Sequence, residues 1–273
     1  MQVATHPETL PPRWGQLRYH PEQARLKNSP ARFKLIEAGR RSGKTELAKR
    51  DEIETAAAPP FLDHFGCFMA PTRDQVRDIY WDDLKRLSPP WLVANVSESR
   101  LTITYKTSAV IACIGMDKPA RAEGKPIHSA KIDEFADMKP DVWERHIRPA
   151  LDTPGREGRA WIYGVPRPSS TFKKLAELAR DPNVPDWDYF WWPSSEILTA
   201  EAIASAKREL DPRTFEQEYG AKRAALTGRA YYPFQKHVHA AQKLAWDRRA
   251  PLIFAFDFNV APGIAVVGQE LPL

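Results

Sequence analysis

A chain of 273 residues with 42% hydrophobic content carries enough apolar side chains for one large or two small domains with cores of their own. No apolar stretch approaches the roughly 20 residues of a membrane span, and the Pro- and Arg-rich N-terminal stretch lacks a secretory apolar segment, so a soluble protein that stays in a cytoplasm is expected. The formal charge of +5 favours a polyanionic partner without proving one, because basic pairs such as Arg40-Arg41 and Lys222-Arg223 are scattered and only Arg145, Arg148, Arg156 and Arg159 are dense.

Residues 32–38 predict a short strand, and 45–58 a helix stopped by Pro59-Pro60. Between them lies Ala38-Gly39-Arg40-Arg41-Ser42-Gly43-Lys44-Thr45. A phosphate-gripping loop needs small residues so that backbone N–H groups can wrap a polyphosphate, a lysine for the β- and γ-phosphates, and a hydroxyl for Mg²⁺. Gly39, Gly43, Lys44 and Thr45 supply these, with Arg40, Arg41 and Ser42 filling the cradle. Ala38 stands where the full spacing has glycine, a mild departure because alanine is also small. ATP with Mg²⁺ is the expected ligand. A chance Gly-Lys-Thr turn is the alternative, and the order strand, loop, helix speaks against it.

Further on, 65–70 reads as a strand closed by Pro71-Thr72, and Val76, Ile79, Tyr80, Leu84 and Leu87 share one helical face. Residues 101–105 and 109–114 read as a hairpin. Another strand ends at Asp133-Glu134, although His128-Ser129-Ala130-Lys131-Ile132 is less apolar than a central strand should be. An Asp there can hold the Mg²⁺ shell while the Glu orients and deprotonates an attacking water, which is the logic of a hydrolase. Pro140 opens a helix with Val142, Trp143 and Ile147; 160–165 is a strand, and after Ser169-Ser170-Thr171 a helix bears Phe172, Leu175 and Leu178. Strands alternating with helices imply an α/β fold with a largely parallel sheet covered on both faces, and ligands at the carboxyl ends of its strands. Charge developing at the γ-phosphate calls for a cation: Arg40 or Arg41 in cis, or Arg121 directed at a neighbouring subunit's nucleotide.

Cys67 and Cys113 sit in apolar runs without Cys-x-x-Cys spacing and are expected to be buried thiols. His237 and His239 have no third ligand nearby and read as ordinary surface histidines. Residues 199–210 and 212–222 read as helices, the second capped by Asp211 with Pro212 first, and Trp187, Trp191 and Trp192 are expected in a packed linker core rather than stacked on bases. Leu252-Ile253-Phe254-Ala255-Phe256 reads as a buried strand with Asp257 at its end, turned by Pro262-Gly263 into 264–267.

The phosphate loop, Pro119-Ala120-Arg121-Ala122-Glu123-Gly124 before Ile132-Asp133-Glu134, Ile147-Arg148-Pro149-Ala150-Leu151, Tyr163-Gly164-Val165-Pro166, and Phe215-Glu216-Gln217-Glu218-Tyr219 with Gly228-Arg229 occur in an order that resembles the large terminase subunit of tailed bacteriophages. The resemblance covers most of the chain. It implies a RecA-like P-loop NTPase of the type with an additional strand and a catalytic Glu over 1–190, a small helical linker over 191–230, and the beginning of a ribonuclease H-like nuclease domain over 231–273. It further implies a motor ATPase that moves double-stranded DNA into a procapsid in the host cytoplasm, as a homo-oligomeric ring at the capsid portal, with the portal protein and the small terminase subunit as partners and no membrane. In such a protein Lys44 binds phosphate, Thr45 and Asp133 hold Mg²⁺, Glu134 acts on water, Arg121 completes a neighbour's site, and Gln23 reads adenine.

Two features depart from the family pattern. The coupling segment often carries a hydroxyl before its proline where this chain has Val165, leaving Ser169, Ser170, Thr171 or the backbone as sensor. Asp257 matches the first nuclease metal ligand, but the sequence stops at Leu273, so a two-metal site and DNA cleavage are not expected. A P-loop DNA helicase or remodeller, and a terminase fragment that binds nucleotide and DNA without turnover, are the alternative readings.

Overall fold

Helix and strand alternate along the chain. The computed structural model describes residues 13–14, 18–167, 170–223, 247–257 and 264–269. In chain order the elements are α1 (Pro21–Asn28), β1 (Phe33–Ala38), α2 (Lys44–Ala57), β2 (Phe65–Ala70), and a composite helix of α3 (Arg73–Val76), a π-helical turn (Arg77–Trp81) and α4 (Asp82–Leu87). Then come β3 (Val93–Ser97), β4 (Thr102–Tyr105), β5 (Val110–Gly115), a 3₁₀ turn (Pro119–Ala122) and β6 (Ser129–Ile132). A π turn (Trp143–Ile147) runs into α5 (Arg148–Ala150), followed by β7 (Arg159–Gly164), α6 (Ser170–Arg180), β8 (Trp187–Trp192), α7 (Ala200–Glu209) and α8 (Pro212–Glu218). The chain divides into two units, Met1–Ala225 and Leu226–Leu273, the second carrying the antiparallel pair β9 (Ile253–Asp257) and β10 (Ile264–Gly268).

The first eight strands form one sheet in the order β3-β4-β5-β2-β6-β7-β1-β8. From β5 to β8 every neighbouring pair is parallel, and only the edge pairs β3–β4 and β4–β5 are antiparallel, so β4 alone runs against the sheet. The expected α/β sheet is therefore present. Its two faces follow from the period-2 alternation of a strand. Phe33, Leu35, Cys67, Met69, Ala160 and Ile162 pack under Phe172, Leu175, Trp143 and Ile147. Ile36, Ala38, Phe68, Ala70, Trp161 and Tyr163 pack under Leu47 and Ile53 of α2 and Tyr80 and Leu84 beyond it. Each fully buried Leu, Ile or Phe of these layers contributes about 1.5–3 kcal/mol, and α2 adds buried polar contacts, Lys49 to Asp83 and Glu52 to Ser129.

Several elements differ from the sequence reading. The π turn adds a residue to one helical turn, so Trp81 is buried beside Tyr80 while Ile79 is only partly covered. Strands β3 and β8 were not expected. Trp187, Trp191 and Trp192 belong to β8, which pairs with β1, instead of a linker core; Trp192 is buried and Trp191 is half exposed, its Nε1 donating to the Ala221 carbonyl at 2.7 Å. Leu252, Ile253, Phe254 and Phe256, expected to be buried, are exposed, and Leu178 is exposed on α6. The two cysteines are buried free thiols, as expected, and burial pushes Cys113 up to about 12. Asp211 caps α8, accepting from the N–H groups of Arg213 at 2.9 Å and Thr214 at 3.2 Å. His237, His239, Gly228, Arg229, Ser169 and the Pro262-Gly263 turn lie outside the described residues. Among the described residues no helix is long and apolar enough to cross a membrane.

Candidate nucleotide-binding site

Leaving β1, the chain turns through 39–43 and enters α2 at Lys44. Gly43 makes the turn in the left-handed region (φ +80°), where a Cβ would also stand 2.8 Å from Gln23 Nε2. At Gly39 a Cβ would fall 2.3 Å from Ser194 Oγ and 2.6 Å from the Tyr219 carbonyl oxygen, so the loop backbone can approach its neighbours only as glycine. The first turn of α2 leaves N–H groups without intrahelical acceptors, the first return bond being Leu47 N–H to the Gly43 carbonyl at 3.0 Å. Those N–H groups and the helix dipole make an anion-binding end. Lys44 is nearly buried against it, with Nζ 3.3 Å from the Gly39 carbonyl oxygen, and Ser42 Oγ donates to the same oxygen at 2.6 Å.

The outer side of the loop is clamped by β8, the residues after it, and α8. Gly39 N–H donates to the Trp192 carbonyl at 3.1 Å and Arg40 N–H to the Glu218 carbonyl at 2.7 Å. Ser194 Oγ donates to the Arg40 carbonyl at 2.6 Å. The Ser42 carbonyl accepts from Trp192 Nε1 at 3.0 Å and Gln23 Nε2 at 3.3 Å. The Arg40 guanidinium pairs with Glu218, which also takes Arg167 at 3.4 Å, and Arg167 reaches Asp137 at 3.3 Å.

Opposite the loop, Asp133 follows the last residue of β6, with β7 interposed between β6 and β1. Its buried carboxylate accepts from Thr45 Oγ1 at 3.2 Å, Tyr80 OH at 2.5 Å and the Glu134 N–H at 2.9 Å, and the Tyr80 and Tyr163 hydroxyls meet at 2.8 Å. Burial pushes the Asp133 carboxyl up, while the Lys44 charge and these donors pull it down. Glu134 sits in the left-handed region (φ 48°, ψ 39°), a conformation that costs a non-glycine residue of order 1–3 kcal/mol. Its Oε2 is buried without a partner, and burial together with the Asp133 charge raises its carboxyl above the ordinary range. Lys44, Thr45, Asp133 and Glu134 are thus brought together at the carboxyl ends of β1 and β6.

Tyr80 and Tyr163 hold this arrangement from below. Tyr80→Phe removes a donor from the buried Asp133 carboxylate and a partner from Tyr163, so a stability loss of about 1–3 kcal/mol is expected in urea unfolding. An unchanged midpoint would show that the hydroxyl pair carries no load.

The other sequence-predicted residues are placed as follows. Gln23, on α1, is fully buried, and its Oε1 has no partner. Arg41 is exposed at φ 56°. Arg121 lies in the 3₁₀ turn after β5, lining a separate recess of about 320 Å³ with Arg73, Arg100 and Lys125, and is not brought to the loop. Asp257 is the last residue of β9, opposite Ile264 in register, in the second unit. Thr171 Oγ1 donates to the Pro140 carbonyl at 3.3 Å, and Val165 is buried. Sequence reasoning missed Tyr163, Trp192, Ser194 and Glu218 as site supports, and took Tyr80 as an apolar contact. A signal existed for the tyrosines: a phenol at a position the periodicity marks as core needs a buried partner.

The sheet order and the loop between β1 and α2 define a RecA-like P-loop α/β fold. No family model matches the sequence, and no curated protein matches it. Among solved structures, the large terminase ATPase domain of Thermus phage P74-26 superposes with a TM-score of 0.64 at 22% identity, over 75% of this chain and 94% of that one. The large terminase of a thermophilic bacteriophage in complex with ADP gives 0.65 at 14% identity, over 93% and 65%, and that of bacteriophage HK97 gives 0.55 at 14%, over 71% and 44%. The fold is that of phage large terminase ATPase domains.

Proposed function

We propose that this chain is the ATP-hydrolysing motor subunit that drives double-stranded viral DNA into a procapsid. The observation that carries the reading is the facing of the loop and the carboxylates: Thr45 Oγ1 lies 3.2 Å from Asp133, with the partnerless Glu134 Oε2 beside them. The residues present fit ATP and Mg²⁺. Gln23 Oε1 is a buried acceptor in want of a donor, which the exocyclic amine of adenine supplies. Lys44 and the first N–H groups of α2 take the phosphates. Thr45 and Asp133 would hold Mg²⁺, which when bound neutralises charge at the transferred phosphate. Glu134 orients the attacking water and receives its proton at the carboxylate that burial has made more basic. Arg40, half exposed and tethered to Glu218, lies in cis, and Arg121 acts on the nucleotide of a neighbour in a ring at the portal, with portal protein and small terminase subunit as further partners.

The test is ATP hydrolysis by the chain with and without duplex DNA across protein concentrations. Rates rising more than linearly with concentration and stimulated by DNA are expected. Linear, DNA-indifferent rates would favour a self-contained ATPase, and retained nucleotide binding without turnover a binding fragment. Gln23→Ala is expected to cut the preference for ATP over GTP about tenfold or more, since an unsatisfied buried polar group costs about 1–3 kcal/mol. An unaltered KM ratio for the two nucleotides would remove Gln23 from the site.

A further inference from the structure

We propose that a second cavity, at the end of the sheet away from the phosphate loop, is a binding site for a phosphate-type oxyanion. It has a volume of about 460 Å³ and lies where the amino-terminal ends of β1, β6 and β7 meet α2 and the loop before β2. Lys131, Trp161 and Lys34 occupy one row of its floor, since Trp161 is in register with Lys131 on one side and Lys34 on the other. Both ammonium groups lie over the indole, 3.8 Å and 5.4 Å from its centroid, and both lysines are buried. A central row of a parallel sheet ordinarily carries aliphatic residues, because a charge there needs a partner.

Lys131 has one. It pairs with Asp51, and Glu52 lies at 3.8 Å. Lys34 donates to the Leu26 carbonyl at 2.7 Å and, among the described residues, meets no carboxylate at salt-bridge distance. Burial, with the charges of Lys131 and Arg159, outweighs the pull of Asp51 and Asp188 and lowers the Lys34 ammonium to about 8. Arg159, one row nearer the mouth, is exposed and makes no ion pair among the described residues. On another wall the buried rings of His64 and His128 stack at 5.6 Å. His128 Nδ1 accepts the Phe65 N–H at 3.0 Å, which places the proton on Nε2, and that buried N–H has no partner. Spare donors on Lys34, Arg159 and His128 thus surround a recess whose carboxylates are Asp51, already engaged by Lys131, and Glu157. Donors arriving from three elements suit a compact tetrahedral anion, whether free orthophosphate or a phosphate of a DNA backbone, and the enclosure favours the free anion.

The test is calorimetric titration of sodium phosphate into the Lys44→Ala chain at constant ionic strength, which removes the phosphate-loop lysine from the readout. Saturable binding is expected, weakened at least tenfold by Lys34→Met and by Arg159→Gln. The second substitution is at an exposed position, so it keeps the comparison sound if the first fails to fold. Absence of saturable binding, or equal binding by parent and Arg159→Gln, would overturn the proposal. In a parallel arm a labelled duplex is titrated by anisotropy: duplex affinity within twofold of the parent in Arg159→Gln supports the free-anion site. A tenfold loss of duplex affinity without orthophosphate binding assigns the donors to DNA and overturns it.

Discussion

Glu134→Gln is expected to lower ATP turnover by about 10²–10⁴-fold, the usual span for removing a general base, while leaving nucleotide affinity within a few-fold. The substitution is isosteric, so it retains the left-handed backbone at 134 and the N–H that donates to Asp133, and changes only the proton-accepting power of the side chain. That separation is the reason to choose Gln over Ala. The carboxylate makes no hydrogen bond through its buried Oε2 and sits on a strained backbone, the arrangement of a side chain kept free to serve a reacting group. Single-turnover hydrolysis beside a fluorescent-nucleotide titration reads both quantities. If Glu134→Gln hydrolyses ATP within about threefold of the parental rate, the water-activating assignment fails, and the strain at 134 is left to the turn that follows it.

What was legible in the sequence was what is local. The strand, loop and helix from 33 to 57 are consecutive, and Gly39, Gly43 and Pro59 mark their joints by backbone geometry alone. Strand β6 was harder, because its polar residues mask the period: Lys131 is there to meet Asp51, and Ser129 donates to Glu52 at 2.5 Å, partners that lie on α2 about 80 residues away. Strand β8 was invisible for the opposite reason. Trp187-Asp188-Tyr189-Phe190-Trp191-Trp192 is aromatic on both faces, so no alternation announces which side is in. The adjacency of Thr45 and Asp133 depends on β7 lying between β1 and β6, a non-local order that no window of sequence contains. Tyr80 shows the same limit at the level of one side chain: periodicity placed it in the core, but only the fold shows that its hydroxyl ends on Asp133.

Arg121→Ala is expected to reduce turnover by about 10³–10⁵-fold, the range associated with a transferred arginine, and to be rescued by mixing. The geometry sets up the argument. Arg121 is in a turn beyond β5, beside Arg73, Arg100 and Lys125, and among the described residues it has no carboxylate partner. Four cations line that recess and, among the described residues, no carboxylate does, so a neighbour's triphosphate would supply the counter-charge. An arginine in cis behaves differently: Arg40 is already paired with Glu218 on the same chain. Combining Arg121→Ala with Lys44→Ala separates the two models, since a Lys44→Ala subunit lends its intact Arg121 to the intact loop of an Arg121→Ala subunit. Each variant alone should be inactive and the equimolar mixture should recover a substantial fraction of parental ATPase. A mixture as dead as its components would place the essential arginine in cis, at Arg40 or Arg41. Full activity of Arg121→Ala alone would leave the four-cation recess to bind some other anion, with DNA the first to try because its phosphate contacts weaken steeply with salt.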